Sequence, residues 1–211
     1  NLVTTVTDWF DIDVQSFLTV SDYGPQIYSL NDRYLEPFAT PYNEDGELEL
    51  RPTGNPINPI IQASADVEDR RLTLNGYITG TVYLPLEGLK YQLRFGNNYV
   101  TRDNNLFDPS GANVTGFGYK EHENEYTYSL DNILTYSRVF NNIHQLDVTL
   151  LYGVEERNNR FTRAEGSNFT KTVLGFNRLQ AAAADQQRVS SGGWKESSTY
   201  TMGRVAYKLS D

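Results

Sequence analysis

The chain has no cysteine, one methionine and two histidines among 211 residues. Without thiols there is no disulfide framework and no thiolate metal site, and the redox compartment stays open. No run approaches the roughly 20 consecutive apolar residues that a spanning helix needs. Positive charge is scarce: 18 Lys and Arg face 27 Asp and Glu, a net charge of −9. With no basic cluster either, nucleic acid is excluded as a partner, because an acidic chain repels phosphate. Apolar residues make up only 38% of the chain, below the roughly 45–50% of soluble domains. Yet 15 Tyr, 10 Phe and 2 Trp are present, and that richness argues against disorder. Asn1 to Thr7 has neither the basic start nor the apolar core of a signal peptide, and the pattern below favours a piece of a longer protein.

What is present is alternation with period two and almost none with period 3.6. From Tyr126 to Phe140, one face carries Tyr126, Tyr128, Leu130, Leu134 and Tyr136, with Asn132 its polar break. The other carries Thr127, Ser129, Asp131, Thr135 and Ser137, with Ile133 its apolar exception. Leu146, Val148, Leu150, Tyr152 and Val154 continue the pattern after Asn141-Asn142-Ile143, a turn rich in the residue that best tolerates positive φ after Gly. A second hairpin joins Leu72, Leu74, Ile78, Val82 and Leu84 to Leu89, Tyr91, Leu93, Phe95 and Tyr99 through Pro85-Leu86-Glu87-Gly88. Single strands open and close the chain, around Phe10 to Val20 and Gly203 to Leu209.

The reading is an all-β, antiparallel up-and-down meander of about six long strands near 9–21, 72–84, 89–101, 124–140, 144–157 and 198–210. Long loops fill 22–71, 102–123 and 158–197, and short turns make the other two connections. Compact soluble domains connect their elements with about 4–6 residues; long loops at one end and tight turns at the other are the habit of a transmembrane barrel. Trp9, Phe10, Tyr83, Tyr136 and Phe140 lie near the turn-side ends, where barrels carry aromatic girdles. Polar-face residues such as Lys90, Gln92, Arg94, Asp131, Asp147 and Glu155 suit a wet lumen. Six strands cannot close a bacterial barrel, for which eight is the smallest number, so these residues are expected to be part of a larger one. In the first loop, Asn43-Glu44-Asp45-Gly46-Glu47 predicts a tight turn within a small hairpin. In the last loop, 178–188 with its Ala181 to Ala184 run predicts one short helix.

Nothing resembles a catalytic constellation, and neither enzymatic activity nor a cofactor is expected. His122 and His144 are too far apart for one metal site. Asn43 to Gly46 lacks the alternating ligands and closing Glu of a calcium loop. Gly111 to Lys120 has three glycines but no Gly-Lys-Ser/Thr of a phosphate cradle. Glu155 and Glu156 adjoin and so point to opposite faces of a strand. The candidates for ligand contact are aromatic: Tyr28, Tyr34, Phe38 and Tyr42 in the first loop, and Phe161, Phe169, Phe176 and Trp194 around the last. They could stack on sugar rings, grip a lid, or pack loop on loop.

Arg71-Leu-Thr-Leu-Asn-Gly76 through Leu84-Pro-Leu-Glu-Gly-Leu-Lys-Tyr91 to Phe95-Gly96 resembles the central barrel of the SusC/RagA family. Tyr128-Ser-Leu-Asp-Asn132, Leu134-Thr-Tyr136, Val139-Phe140 and Leu150-Leu-Tyr-Gly153 resemble its next hairpin. Asp8-Trp9, Tyr42 to Gly46 and Gly203 to Tyr207 match further points in order. The resemblance implies that 1–211 is a partial TonB-dependent receptor barrel domain of the Gram-negative outer membrane, from a 22-stranded barrel whose plug domain is missing here. It further implies import of oligosaccharides or peptides, a SusD-like surface lipoprotein as partner, TonB acting through the missing plug, and contact with outer-membrane lipid. No substrate-binding residue is carried over. The alternatives are a soluble secreted β-sandwich or carbohydrate-binding module and, more remotely, a surface hydrolase on a β scaffold.

Overall fold

A computed structural model describes residues 2–24, 36–54, 58–109 and 116–209, apart from the side chain of Gln62. Among them, seven strands form a single antiparallel sheet in sequence order. They are β1 (Leu2–Thr7), β2 (Phe10–Asp22), β3 (Asp66–Tyr83), β4 (Leu89–Asp108), β5 (Phe117–Phe140), β6 (His144–Ser167) and β7 (Arg188–Leu209). The expected meander is therefore present with one strand more than expected. β1 pairs Leu2 with Val14 and Thr4 with Ile12. Its Leu-Val-Thr-Thr-Val-Thr sequence puts Leu2 and Thr4 on one face and Val3 and Thr5 on the other, so no alternation of polarity marks it. Its only signal is a near-continuous run of β-branched residues.

The strands also reach further than expected. β4 runs on to Asp108 and β5 begins at Phe117, so the loop expected over 102–123 shrinks to 109–116. β6 runs to Ser167 and β7 starts at Arg188, which shortens 158–197 to 168–187; β3 already begins at Asp66 inside the expected 22–71 loop. Beyond Leu72, Tyr99, Tyr126 and Val154 charged and amide residues predominate on both faces, so the regular hydropathy alternation stops while the ladder does not. Side-chain pairs accompany the extension: Arg102 bonds both oxygens of Asp69 at 3.0 and 2.7 Å, and Asn159 donates to Glu123 at 2.8 Å. The tight turns match their chemistry. Asn141 and Asn142 take φ of 50° and 60°, and Gly88 takes 83°.

The alanine run does not make the expected helix. Short 3₁₀ turns cover Gly175–Ala181 and Ala184–Gln186, and Arg178, inside the first, is non-helical at φ −141°. Ala182 is extended, with its methyl group buried in the cluster of Phe107, Phe169 and Phe176. Packing of that methyl outweighs alanine's helix propensity. One α-helical turn instead forms at α1 (Pro59–Ala63). Before it, the small hairpin is present: Tyr42 bridges Leu48, Gly46 sits at φ 79°, and Asn43 Oδ1 accepts from the Asp45 and Glu47 amides at 3.1 and 2.8 Å. Asn58, fully buried, clamps it by donating to the Pro41 and Glu49 carbonyls, both at 2.9 Å, while its Oδ1 caps α1 through the Ile60 amide at 3.0 Å.

Candidate functional site

Register decides which side chains share a face. One face collects Val14, Ile78, Phe95, Leu130, Val154 and Thr199 across successive strands; a neighbouring row collects Val82, Tyr91, Leu134 and Leu150. These rows are uncovered. Ile78 on β3 is 51% exposed and Leu150 on β6 is 53% exposed, and neither strand lies at an edge of the sheet. Among the described residues the buried apolar side chains lie mainly in one small group at the loop end, where segment 168–187 folds back on the apolar face. There Phe107 and Phe169 meet edge to face at 5.1 Å, and Gly118 and Gly166, directly opposite each other, leave room for Leu179 and Ala182. A β-sandwich requires a second sheet against such rows, and the described residues form only one.

The polar break in this face is satisfied. Tyr91 donates to Asn132 Oδ1 at 2.6 Å, and Asn132 Nδ2 reaches the Tyr152 carbonyl at 3.4 Å. Rings gather near the two ends of the apolar rows. Trp9 and Phe10, with Tyr136, Phe140 and Tyr207, lie toward the tight turns; Tyr99, Tyr126 and Tyr128 lie toward the loops. Tyr83 does not join them. It lies on the opposite face and donates to Asp11 at 2.9 Å.

That opposite face is wet in character. Arg163 bonds Glu165 at 3.1 Å and Glu121 at 3.4 Å with its guanidinium over the Tyr119 ring at 3.8 Å, and Arg157 bonds Glu155 at 3.0 Å. Asp131 accepts from Tyr200, whose ring passes over Gly153, the one residue type that leaves it space. The Arg102 guanidinium holds the Asp69 carboxyl below the usual carboxylate range, and Asp69 in turn raises Arg102. Between β3, β4 and β5 this face opens into a recess of about 490 Å³.

The residues singled out by sequence fall in different places. His122 contacts Asp103 at 2.6 Å and Asn124 at 3.0 Å near the loops, whereas His144 contacts Tyr207 at 2.7 Å by a tight turn. The described residues contain no group of three possible metal ligands. Glu155 and Glu156 do point apart, to Arg157 and to Lys195. Phe169 and Phe176 are buried loop packing, while Phe38, Tyr42, Phe161 and Trp194 are exposed, the last two on the polar face. Tyr28, Tyr34 and Gly111 lie outside the described residues. The pairing of Asp131 with Tyr200 and the setting of Arg94 went unseen, because only the register across three connections brings those positions together.

The sheet is thus an all-β, up-and-down antiparallel meander of the kind that makes barrel walls. No protein-family model matches the chain, and no curated protein matches it either. Solved structures do. It is similar to the RagAB peptide importer in the closed-closed state (TM-score 0.74, 11% identity) and in the open-open state (0.75, 12%). It is also similar to a further structure of the RagAB peptide transporter (0.68, 12%). Each match covers 98% of this chain and 25% of the other, so the chain spans a quarter of the length of the structures it matches. At such identity the likeness is one of fold.

Proposed function

We propose that the chain is a stretch of the wall of a SusC/RagA-type, TonB-dependent outer-membrane importer, closed into a barrel by further strands of a longer protein. The observation that carries this reading is the uncovered apolar face of a single sheet. Such a face needs a non-aqueous partner, and acyl chains supply one without a second protein layer. The apolar stretches 10–20, 72–82, 89–99, 126–136, 146–154 and 199–209 hold nine to eleven residues each, the length that crosses the hydrocarbon core. Tight turns then lie on the periplasmic side and the 168–187 segment on the outer side. The polar face lines the lumen, where charged pairs are hydrated rather than buried.

Import of peptides or oligosaccharides fits a polar lumen wall. Peptides are favoured, since the similar structures are those of the RagAB peptide importer. A SusD-like surface lipoprotein over the outer loops, and TonB acting on a plug carried elsewhere in the parent protein, complete the proposal. The test is uptake of fluorescent peptides and glycans by cells in which the parent gene is disrupted and then restored. Uptake that disappears with the gene, returns with it and collapses when a protonophore removes the energy source supports the reading. Uptake indifferent to the gene contradicts it.

A further inference from the structure

The recess on the polar face contains a cation that makes no ion pair among the described residues. Arg94 stands in the middle of β4, its Nε donating to Thr79 Oγ1 at 3.3 Å and its guanidinium carbon 5.2 Å from the centre of the Tyr77 ring. Those two contacts hold the stem and plane of the side chain. Its cross-strand partner by register is Asp131, the position from which a direct ion pair would ordinarily form. Asp131 is instead taken by Tyr200 from two strands away, across Gly153. Among the described residues no carboxylate comes within ion-pair distance of Arg94, in a chain with nine more acidic than basic groups. On the same face Arg102, Arg157 and Arg163 are each closed by Asp or Glu, whereas Arg71 and Arg204, like Arg94, make no ion pair among the described residues.

The space in front of this guanidinium is shaped. Gly96 contributes no side chain, Asn75, Asn98 and Ser129 line the recess with amide and hydroxyl groups, and the Asp131 carboxylate, turned to Tyr200, lines its β5 side. A planar guanidinium with both terminal nitrogens unengaged pairs bidentately with a carboxylate, a geometry lysine cannot reproduce. Amides and a hydroxyl beside it suit a polar chain that carries that carboxylate.

We infer that the recess at Arg94 is a lumenal binding step for the carboxylate of a peptide in transit, with Arg94 as the recognising cation and the Asn75–Asn98–Ser129 rim holding the adjoining backbone. This rests on the import reading above and adds a ligand chemistry and a residue to it. The carboxylate could be a chain terminus or an acidic side chain, and three probes separate them: a neutral peptide with a free C-terminus, its C-terminal amide, and an amidated peptide containing one Glu.

The test measures binding of the three probes to the full parent transporter, purified in detergent, as wild type, Arg94→Gln and Arg94→Lys. Losing a charge-assisted contact costs about tenfold or more in affinity. Arg94→Gln is expected to lose that factor for at least one carboxylate-bearing probe, identifying the source, and nothing for the neutral amide; Arg94→Lys retains part of it. Equal loss on all three probes, or no loss on any, overturns the inference while leaving the import reading intact. So does a lowered melting temperature with unchanged probe preference, which would mean that another segment of the parent neutralises Arg94. Failure of wild type to bind any probe removes the peptide-import reading, and the recess with it.

Discussion

At the scale of single residues, the fold turns on positions where only one side chain fits. Gly88 sits at φ 83° in the β3–β4 turn, where a Cβ would collide with the Ser137 carbonyl oxygen. The Gly88 carbonyl also accepts from the Ser137 amide at 2.9 Å, tying the turn to β5. Gly88→Ala should therefore cost about 1–2 kcal/mol or more through strain and displacement together, read as a lowered melting temperature of the detergent-solubilised parent. Asn58 is the loop counterpart. Asn58→Ala removes three hydrogen bonds and leaves the Glu49 carbonyl without its side-chain donor, while the Pro41 carbonyl keeps the Glu49 amide, at about 1–3 kcal/mol for the stranded group. Faster proteolysis within 36–54, with the strands still protected, is the expected outcome. The turn glycine and the Asn43–Gly46 turn were legible from residue type alone. Asn58 was not, since its partners are distant in sequence.

Asp69 adds a pH dependence at the loop end. Its carboxyl lies below its ordinary value of 3.8 because Arg102 donates to both of its oxygens. A depressed acid binds fewer protons folded than unfolded, so its stabilisation is present above the ordinary value and lost as pH falls through the lowered one. Wild type should exceed Asp69→Asn by up to about 1 kcal/mol near pH 6, given a partly exposed pair. Thermal melts at a series of pH values should show that gap closing below pH ~4.

At the scale of elements, each strand has two chemistries, and mutation should separate them. Leu150 and Leu151 are neighbours on β6 with side chains on opposite faces. On the proposed wall, Leu150→Arg puts a charge into lipid at about 2–4 kcal/mol, whereas Leu151→Arg faces the lumen and should cost far less. Folding yields into lipid vesicles, compared for the two variants, measure the difference. The 168–187 segment offers a second case: the Ala182 methyl lies 2.6 Å from where a Gly166 Cβ would be. Gly166→Leu should displace the segment and expose Phe169 and Phe176 without disturbing the strand ladder, visible as altered near-ultraviolet aromatic dichroism at constant sheet content.

The elements also show what alternation can and cannot reveal. Where one face is apolar and the other polar, strand, register and turn could all be read, as for β3 to β6. Where both faces are polar, as from Arg102 to Asn105, the ladder persists without a hydropathy signal and was read as loop. Where a strand mixes Val and Thr on both faces, as in β1, only β-branching remains. The recess lay further out of reach. Arg94 and Asp131 were recognisable as polar-face residues, but their failure to pair depends on Tyr200, a full hairpin away.

For the molecule as a whole, the apolar rows form a band that runs obliquely across the sheet. Tyr126, at the band's loop-side limit on β5, faces Asn158 on β6, where the band has already ended at Val154, four positions earlier (158 − 154). A band that drifts along the register is what strands tilted to a membrane normal require, since lipid boundaries are level while strands are not. The resemblance to SusC/RagA barrels arose from short segments in order; the similar structures, at 11–12% identity, share the shape and almost none of the sequence. Alternating polarity and turn positions are enough to maintain this shape while nearly every side chain changes.

The most direct measurement exploits the absence of cysteine from this chain. Single cysteines are placed in turn at 146 to 154 on β6 within the parent protein, in native outer membrane, with any cysteine elsewhere removed. Each is then tested with a water-soluble maleimide and, as a fluorescent conjugate, with lipid-borne quenchers. Even-numbered sites should be quenched from lipid and refractory to the aqueous reagent, and odd-numbered sites the reverse, with the period of two unbroken. Labelling of both sets from water, or protection of both by protein, would contradict a wall with lipid on one side and a lumen on the other.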